Sequence, residues 1–598
     1  MAAKRRNSAK GNGADAYLRL IDIGIALSAE RENNRLMERI LLEAKDLCNA
    51  DGGTLYLVAE DEGLKFEIMR TDSLNIALGG TTGKEITFPP VRLYDPKTGK
   101  PNHKNVATHV ALSGDSINIP DAYKAKDFDF SGTKKFDEGT GYRSRSFLTV
   151  PLKNHDGDVI GVLQLLNAQD TDTGEVISFS EDIQPLVEAL TSQAAVALDN
   201  QYLIDAQKKL LDSFIELIAS AIDAKSPYTG GHCQRVPELT KMLARAACDQ
   251  TEGPFKDFDL TEDQWYELHI AGWLHDCGKV TTPEYVVDKA TKLETIFDRI
   301  HEVRMRFEVL KRDAEIKYLQ ARLDGGDEAK LKADLDAELA ALDDDYAFIA
   351  ECNVGGEFMA DDKVERVAQI ADREWTRTLS DRIGISYDEA KRRERQPEAA
   401  LPATEKLLAD RYDQVIEREA QDLMPADNRW GFNMTVPEHK FNLGEVYNLC
   451  IGRGTLSEED RYKINEHMVQ TIKMLESLPF PRHLRRVPEF AGGHHEKMDG
   501  TGYPRGLNES DMSVPARIMA IADIFEALTA ADRPYKLPKK LSESVKIMGF
   551  MEKDSHIDGE LFKLFLGSGV YKEYGERFLM PEQIDDVDVA QYLSAAAE

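Results

Sequence analysis

The chain has 598 residues, with 75 Lys and Arg against 106 Asp and Glu and a formal net charge of −31. That acidity excludes a general DNA or RNA coat, which needs a basic face, and disfavours broad adhesion to anionic lipid. With 42% hydrophobic residues the chain can bury real cores, its length predicts roughly three to four domains, no apolar run approaches the ~18 residues of a membrane helix, and its six scattered cysteines fit a reducing cytoplasm rather than a disulfide scaffold.

Residues 1–14 read as a flexible basic tail with no apolar segment of a secretory signal behind it. From 15 to 200 the pattern is α+β. Amphipathic helices are expected over 16–29 and 32–50, with Gly53 as a breaker before a strand over 54–58. Further strands are expected over 146–152 and 158–166, joined by the hairpin signal His155-Asp156-Gly157. A helix from 180 to 199 closes the unit and does not stop there. Between Ile183 and Ile222 there is no Gly, and the only Pro is Pro185, tolerated in a first turn. Leu190, Ala197, Ile204, Leu211 and Ile218 recur every seven residues, with Ala189, Val196, Leu203, Leu210 and Leu217 beside them. This stripe predicts a connecting helix over 183–223, either paired with a second chain or packed on its own domains.

Residues 201–292 and 453–545 are helical and carry the notable histidines. Between them, 293–452 reads as an acidic helical insertion, with 34 acids against 22 bases in 301–450. A solvated helical face is the reading for such a charge run. Residues 546–598 form a helical extension.

Five short motifs carry the candidate chemistry: Gly231-His232, His275-Asp276 with Gly278-Lys279, Glu466-His467, His494-His495-Glu496, and Asp523 with Glu526. Imidazoles and carboxylates together suit Fe, Mn or Zn, and the absence of cysteine clusters disfavours a structural zinc knuckle. A His-Asp dyad lets one carboxylate bridge two ions, the arrangement of a two-metal phosphodiester hydrolase. Glycines 278, 500 and 502 are expected to let the backbone approach a substrate. Lys279, Arg533 and Lys536 are candidates to neutralise phosphate charge.

His275-Asp276 with Gly278-Lys279, His494-His495-Glu496 and Gly502-Tyr503-Pro504 resemble the HD-GYP branch of the HD phosphohydrolases. The first histidine motif around His232 and the segment from Arg453 to His467 resemble it too. The resemblance implies an all-α catalytic fold, two divalent metal ions (iron or manganese), and hydrolysis of cyclic di-GMP to pGpG or GMP in bacterial signalling. By motif position it implies His232, His275, Asp276, His467, His494, His495 and Asp523 as metal ligands, with Asp276 bridging. It places Lys279, Arg533 and Lys536 on phosphates and Tyr503 in the substrate pocket or against a diguanylate cyclase (GGDEF) partner. A further role for Lys279, protonating the leaving oxygen, requires a depressed pKa.

Three positions depart from the family pattern. Tyr228 stands where some members carry an acid for a third metal, so two metals are expected. Glu526 replaces the usual Asp. The stretch from Lys289 to Glu294 normally leads straight to the third histidine, but here about 160 residues intervene before His467, leaving His301 as a rival for the third motif. The first domain resembles a GAF domain, through residues such as Val106–Val110, Ser116–Ala122 and Gly161–Asn167. Of the signature of cyclic-nucleotide-binding members, Asn167 and Phe179 match, but Ala168 replaces Lys and Ile183-Gln184 replace Asp-Glu. A small-molecule ligand and a structural or dimerising role are both open for this domain.

The expected protein is therefore multidomain: an α+β GAF domain, a connecting helix, and an all-α HD-type phosphohydrolase domain with a helical insertion. It is expected to act in the cytoplasm as a homodimeric cyclic di-GMP phosphodiesterase. The alternatives are an HD-type phosphohydrolase of another nucleotide, such as a mixed cyclic dinucleotide, and a non-catalytic scaffold.

Overall fold

The computed structural model describes residues 12–59, 63–225, 231–356, 358–424, 427–531 and 538–593. The tail as far as residue 11, Tyr228, Arg533 and Lys536 lie outside the described residues. The chain divides into two compact units, one up to Leu211 and one from Asp212.

In the first unit, α1 (Asn12–Ala29) and α2 (Asn33–Cys48) lead into one sheet of eight strands. These are β1 (Ala50–Val58), β2 (Gly63–Thr71), β3 (Ile76–Gly79), β4 (Val91–Arg92), β5 (Ile117–Ile119), β6 (Phe147–Lys153), β7 (Val159–Gln169) and β8 (Val176–Ile177). The path is β3-β2-β1-β7-β6-β5, with β4 on β2 and β8 on β7. Helices α3 (Val106–Ser113) and α4 (Ser131–Thr140) lie in the crossover between β4 and β6.

Both faces of β1 are covered, which is why its sequence reads as a continuous apolar run. Leu55 and Leu57 join the core made with Leu36, Ile40 and Leu41 of α2. Tyr56 faces the other way, among Leu64, Val110 and Val162. Gly53, expected as a breaker, instead pairs with Arg70 and Leu165 inside the strand.

Helix α5 (Gln184–Asp223) is unbroken over 40 residues. Val187, Leu190, Ala194 and Leu198 are buried in the first unit's core, whereas Leu203, Leu210 and Leu217 are 56%, 57% and 64% exposed. The apolar stripe is thus a core face at its start and an open face further along.

The second unit begins with α6 (His232–Cys248), α7 (Glu262–Leu274) and α8 (Glu284–Val287). Next come α9 (Ile300–Leu323), α10 (Glu328–Val354), α11 (Asp361–Ala371), α12 (Tyr387–Arg393) and α13 (Glu445–Leu449). Residues from Leu293 to Leu449, among them Phe307, Leu342, Ile349 and Val367, form a separate core. The inserted region is not purely helical. Short antiparallel ladders pair β9 (Glu374–Arg377) with β10 (Ala403–Lys406) and β11 (Val415–Glu417) with β12 (His439–Asn442). Strands of three or four residues are too short to show a period in sequence.

The chain leaves for this region and returns at one place. Lys289 Nζ reaches Asp460 at 2.7 Å, and Thr455 Oγ1 donates to the Lys289 carbonyl at 3.0 Å. Buried Lys292 donates to the carbonyls of Leu449 and Ile451 at 2.8 and 2.9 Å.

Next come α14 (Glu458–Ser477), α15 (Val487–Gly492) and α16 (Val514–Thr529), then α17 (Leu541–Lys553), α18 (Gly559–Gly567) and α19 (Val570–Phe578). A capping box of Ser457 and Asp460 starts α14. Phe565 and Tyr574 pack edge-on against Phe525 of α16, so the C-terminal helices back the helix that carries Asp523.

Candidate metal centre

Each of the five motifs sits at the end of a helix or on a face turned toward one point. His232 opens α6, and His275 and Asp276 follow α7 directly. His467 lies in α14, His494 and His495 follow α15, and Asp523 lies in α16. All seven predicted ligands meet there. His232, His275, Asp276 and Asp523 form one cluster, and Asp276, His467, His494 and His495 form another, with ligand atoms within 4.8 Å of one another in each. Asp276 belongs to both. Its Oδ2 lies 3.2 Å from His232 Nε2, and its Oδ1 lies 3.2 Å from His467 Nε2.

The imidazoles are aimed by their far nitrogens. The Nδ1 of His275 donates to the Gly272 carbonyl at 2.6 Å and that of His494 to the Ala491 carbonyl at 2.6 Å. His467 Nδ1 donates to the Ile464 carbonyl. A carbonyl only accepts, so in each case Nδ1 carries a proton and Nε2 is the nitrogen turned inward. His232 is held from behind by Glu526, which also takes the Arg235 guanidinium at 2.7 Å. Asp523 and Glu526, one turn apart on α16, thus touch opposite nitrogens of one ring.

The donor set fits divalent cations. Asp276 Oδ1, His467 Nε2 and His494 Nε2 are buried and have no hydrogen-bond partner. Buried polar atoms are normally paired, and three converging unpaired acceptors are what a cation would satisfy. Neutral imidazole with bridging carboxylate is an ordinary ligand set for Fe, Mn or Zn.

The electrostatics divide the centre in two. Against the cost of burial, the Lys279 ammonium and the imidazole of His275 hold the Asp276 carboxyl well below its usual range. Burial opposes charge on His275, but the Asp276 carboxylate outweighs it and lifts that imidazole to about 9. In the second cluster burial and the neighbouring His275 push His494 down to about 4, and burial with His494 lowers His495 as well. Lys279 Nζ sits 2.5 Å from Asp276 Oδ2. Burial opposes its charge, but Asp276 and Asp523 prevail and raise its pKa. The depressed pKa that proton donation by Lys279 requires is therefore not found. Its state is that of a fixed cation.

Two motif glycines act differently from the expectation. A Cβ on Gly278 would lie 2.0 Å from the His467 carbonyl oxygen, and one on Gly502 would lie 2.4 Å from the Lys497 amide nitrogen. Both let one stretch of chain approach another closely. Gly278 also donates its N–H to Thr471 Oγ1 at 2.9 Å, tying the His275-Asp276 turn to α14. Glu496 is not a ligand. It accepts the amides of Arg505 and Leu507 at 2.7 and 2.9 Å and so braces the loop that bears Tyr503. Tyr503 stacks on His495 with centroids 4.9 Å apart. His301, the rival for the third motif, lies in α9 and bonds to Arg304.

Two residues that carry no sequence signal also hold the centre. Asp223, ending α5, accepts the amides of Gly231 and Cys233 at 3.2 and 3.3 Å. Lys225 donates to the carbonyls of Lys279 at 3.4 Å, of Val280, and of Thr282 at 2.6 Å. They fix the segments carrying His232 and Asp276.

Comparison with known proteins matches these units. A GAF domain matches residues 32–198 and an HD domain matches residues 402–561. The second match holds His467, His494, His495 and Asp523, and the fold brings His232, His275 and Asp276 to them from outside it. Two relatives are 3'3'-cGAMP-specific phosphodiesterases of Vibrio cholerae. One is 38% identical over 124 residues, covering 21% of this chain and 25% of the relative. The other is 40% identical over 154 residues, covering 25% and 32%. A cyclic di-GMP phosphodiesterase of Pseudomonas aeruginosa is 40% identical over 79 residues, covering 13% and 18%. The chain thus spans at most about a third of the length of these relatives. Among the described residues no helix is long and apolar enough to cross a membrane. The chain is a multidomain protein that joins an α+β GAF domain to a helical HD domain, and it is similar to cyclic-dinucleotide phosphodiesterases.

Proposed function

We propose that the chain is a metal-dependent phosphodiesterase that hydrolyses cyclic di-GMP to pGpG or GMP. The observation that carries this reading is the pair of four-ligand clusters sharing Asp276. Two divalent ions, iron or manganese, held by His232, His275, Asp276, His467, His494, His495 and Asp523 would supply Lewis acidity to a scissile phosphodiester. The chain's own residues do the rest. Asp276 keeps its negative charge between the clusters, and Glu526 with Arg235 fixes the His232 ring. Lys279 stays a cation beside Asp276 and neutralises a phosphate oxygen. Arg533 and Lys536 remain candidates for the other phosphate.

The mixed nucleotide cGAMP is the second reading, favoured by the names of two relatives. Both substrates share one chemistry and are separated by a turnover panel. Metal-loaded protein should consume one or both, and His275→Ala with Asp276→Ala should abolish both bound metal and turnover. Intact cyclic di-GMP and cGAMP after incubation with metal-loaded protein would sink the proposal.

In the GAF domain, a cavity of about 260 Å³ lies on the Tyr56 face of the sheet. Among the described residues no Lys or Arg lines it. Asn167 and Phe179 do not line it either. Asn167 ties Arg145, Ser146 and Tyr142, and Phe179 lies in the core on the opposite face. With no cation to meet a phosphate, the cavity suits an uncharged, partly aromatic small molecule. The exposed stripe of α5 supports a homodimer.

A further inference from the structure

The segment between Trp430 and Pro437 lies beside the loop that bears Tyr503. The Asn433 backbone N–H donates to the Pro504 carbonyl at 2.9 Å, and Arg505 Nε donates to the Trp430 carbonyl at 2.8 Å. Phe432, stacked on Trp430 at 5.8 Å, packs on Val469 and Ile472 of α14. Arg418 donates to the Pro437 carbonyl at 2.8 Å and covers the Tyr462 ring at 4.7 Å. The segment is therefore a wall, anchored at both ends.

It closes one side of a groove of about 500 Å³. The floor is one face of α14, with Glu458, Arg461 and Asn465 at helical spacing, and the far side is the Gly500–Tyr503 loop. Tyr503 belongs to both places. It lines the groove and stacks on the candidate ligand His495. The groove thus runs alongside the second cluster. Its size lies in the usual range for small-molecule sites, roughly 300–1,000 Å³.

Its polar groups match one nucleobase edge. A carboxylate only accepts, which suits the adjacent N1–H and N2–H donors of guanine. A guanidinium only donates, which suits guanine O6 and N7. Adenine offers Glu458 only its exocyclic amine. Asn433 and Asn465 can serve either base, and Tyr503 offers an aromatic face. We propose that this groove, walled by the insertion, binds a guanine base and thereby sets the nucleotide preference of the centre. The proposal deepens the cyclic-dinucleotide reading and rests on it for the substrate.

Glu458→Gln and Asn433→Ala test it, since neither side chain contacts a candidate ligand. In the metal-loaded full chain, each variant should raise KM for cyclic di-GMP and cGAMP about tenfold with kcat within about twofold. Bound metal should be unchanged, and discrimination against cyclic di-AMP should fall. Direct titration gives a readout that needs no turnover. GMP should bind the wild type about tenfold more tightly than AMP, and Glu458→Gln should erase that preference. Equal GMP and AMP binding by the wild type, or unchanged KM values in both variants, would overturn the guanine assignment. A GMP preference lost in Glu458→Gln, in a protein that hydrolyses no cyclic dinucleotide, would leave the groove standing and remove the phosphodiesterase reading instead.

Discussion

The carboxylate of Glu526 meets no proposed cation, yet it decides which way one ligand faces. It holds His232 through Nδ1 while Asp523 and Asp276 meet Nε2, each at 3.2 Å. Losing such a partner usually costs ten- to a hundredfold in metal affinity. Glu526→Gln should therefore weaken metal binding by about that factor with the helices intact, as followed by metal titration alongside circular dichroism. Unchanged affinity would show that α6 orients the ring without the Glu526 charge. Gly278→Ala is expected to act through packing. Its added methyl meets the His467 carbonyl and the Thr471 amide, and overpacking of this kind costs about 1–3 kcal/mol. Thermal unfolding should shift down and metal content fall together. The ligands themselves were legible because each lies in a short, unusual motif. Asp223 and Lys225 were not, because a lone acid and a lone lysine after a long helix carry no pattern. Only the fold brings their side chains to the amides and carbonyls they bind. The glycines show the reverse error: the positions were legible, but the partner crowding each one was chain, not substrate.

At the scale of elements, long and regular pieces were readable and short ones were not. The 40 residues of α5 follow from the absence of Gly and of interior Pro between Ile183 and Ile222. The core strands follow from apolar runs, although β1 extends four residues before its expected start because Gly52 and Gly53 pair inside it. The ladders β9–β10 and β11–β12 went unread, since register between segments as far apart as Trp375 and Glu405 is a tertiary fact. The junction of insertion and host was equally hidden. Lys292 there is buried at 2% exposure and satisfies two carbonyls. Lys292→Met keeps the stem but leaves both carbonyls without that donor, a loss of about 1–3 kcal/mol. Urea unfolding should show a lower midpoint with metal affinity little changed, because Lys289 and Asp460 still close the junction. A large loss of metal instead would mean that the insertion's seat sets the geometry of the centre.

For the molecule as a whole, a net charge of −31 is compatible with an anionic substrate once charges are placed. Much of the excess acidity lies in 301–450, while the centre gathers five imidazoles, two carboxylates and the Lys279 ammonium. Composition argued against a nucleic-acid coat and had no bearing on a small dinucleotide. It also could not say what covers α5. Leu203, Leu210 and Leu217 stand seven residues apart and are each more than half exposed. Large apolar side chains aligned on one helix face mark an association surface, and a seven-residue repeat is the spacing at which two helices stay in contact. A second copy of α5 offers the same stripe, so the contact is self-complementary. Light scattering on a sizing column should therefore give a dimer for the full chain at micromolar concentration. The triple substitution Leu203→Lys, Leu210→Lys and Leu217→Lys should give a monomer. Because all three side chains are more than half exposed and none belongs to the buried core, metal content and helix content should hold. A wild-type monomer, or a dimer that survives the three lysines, would place self-association elsewhere and leave the stripe to a different partner.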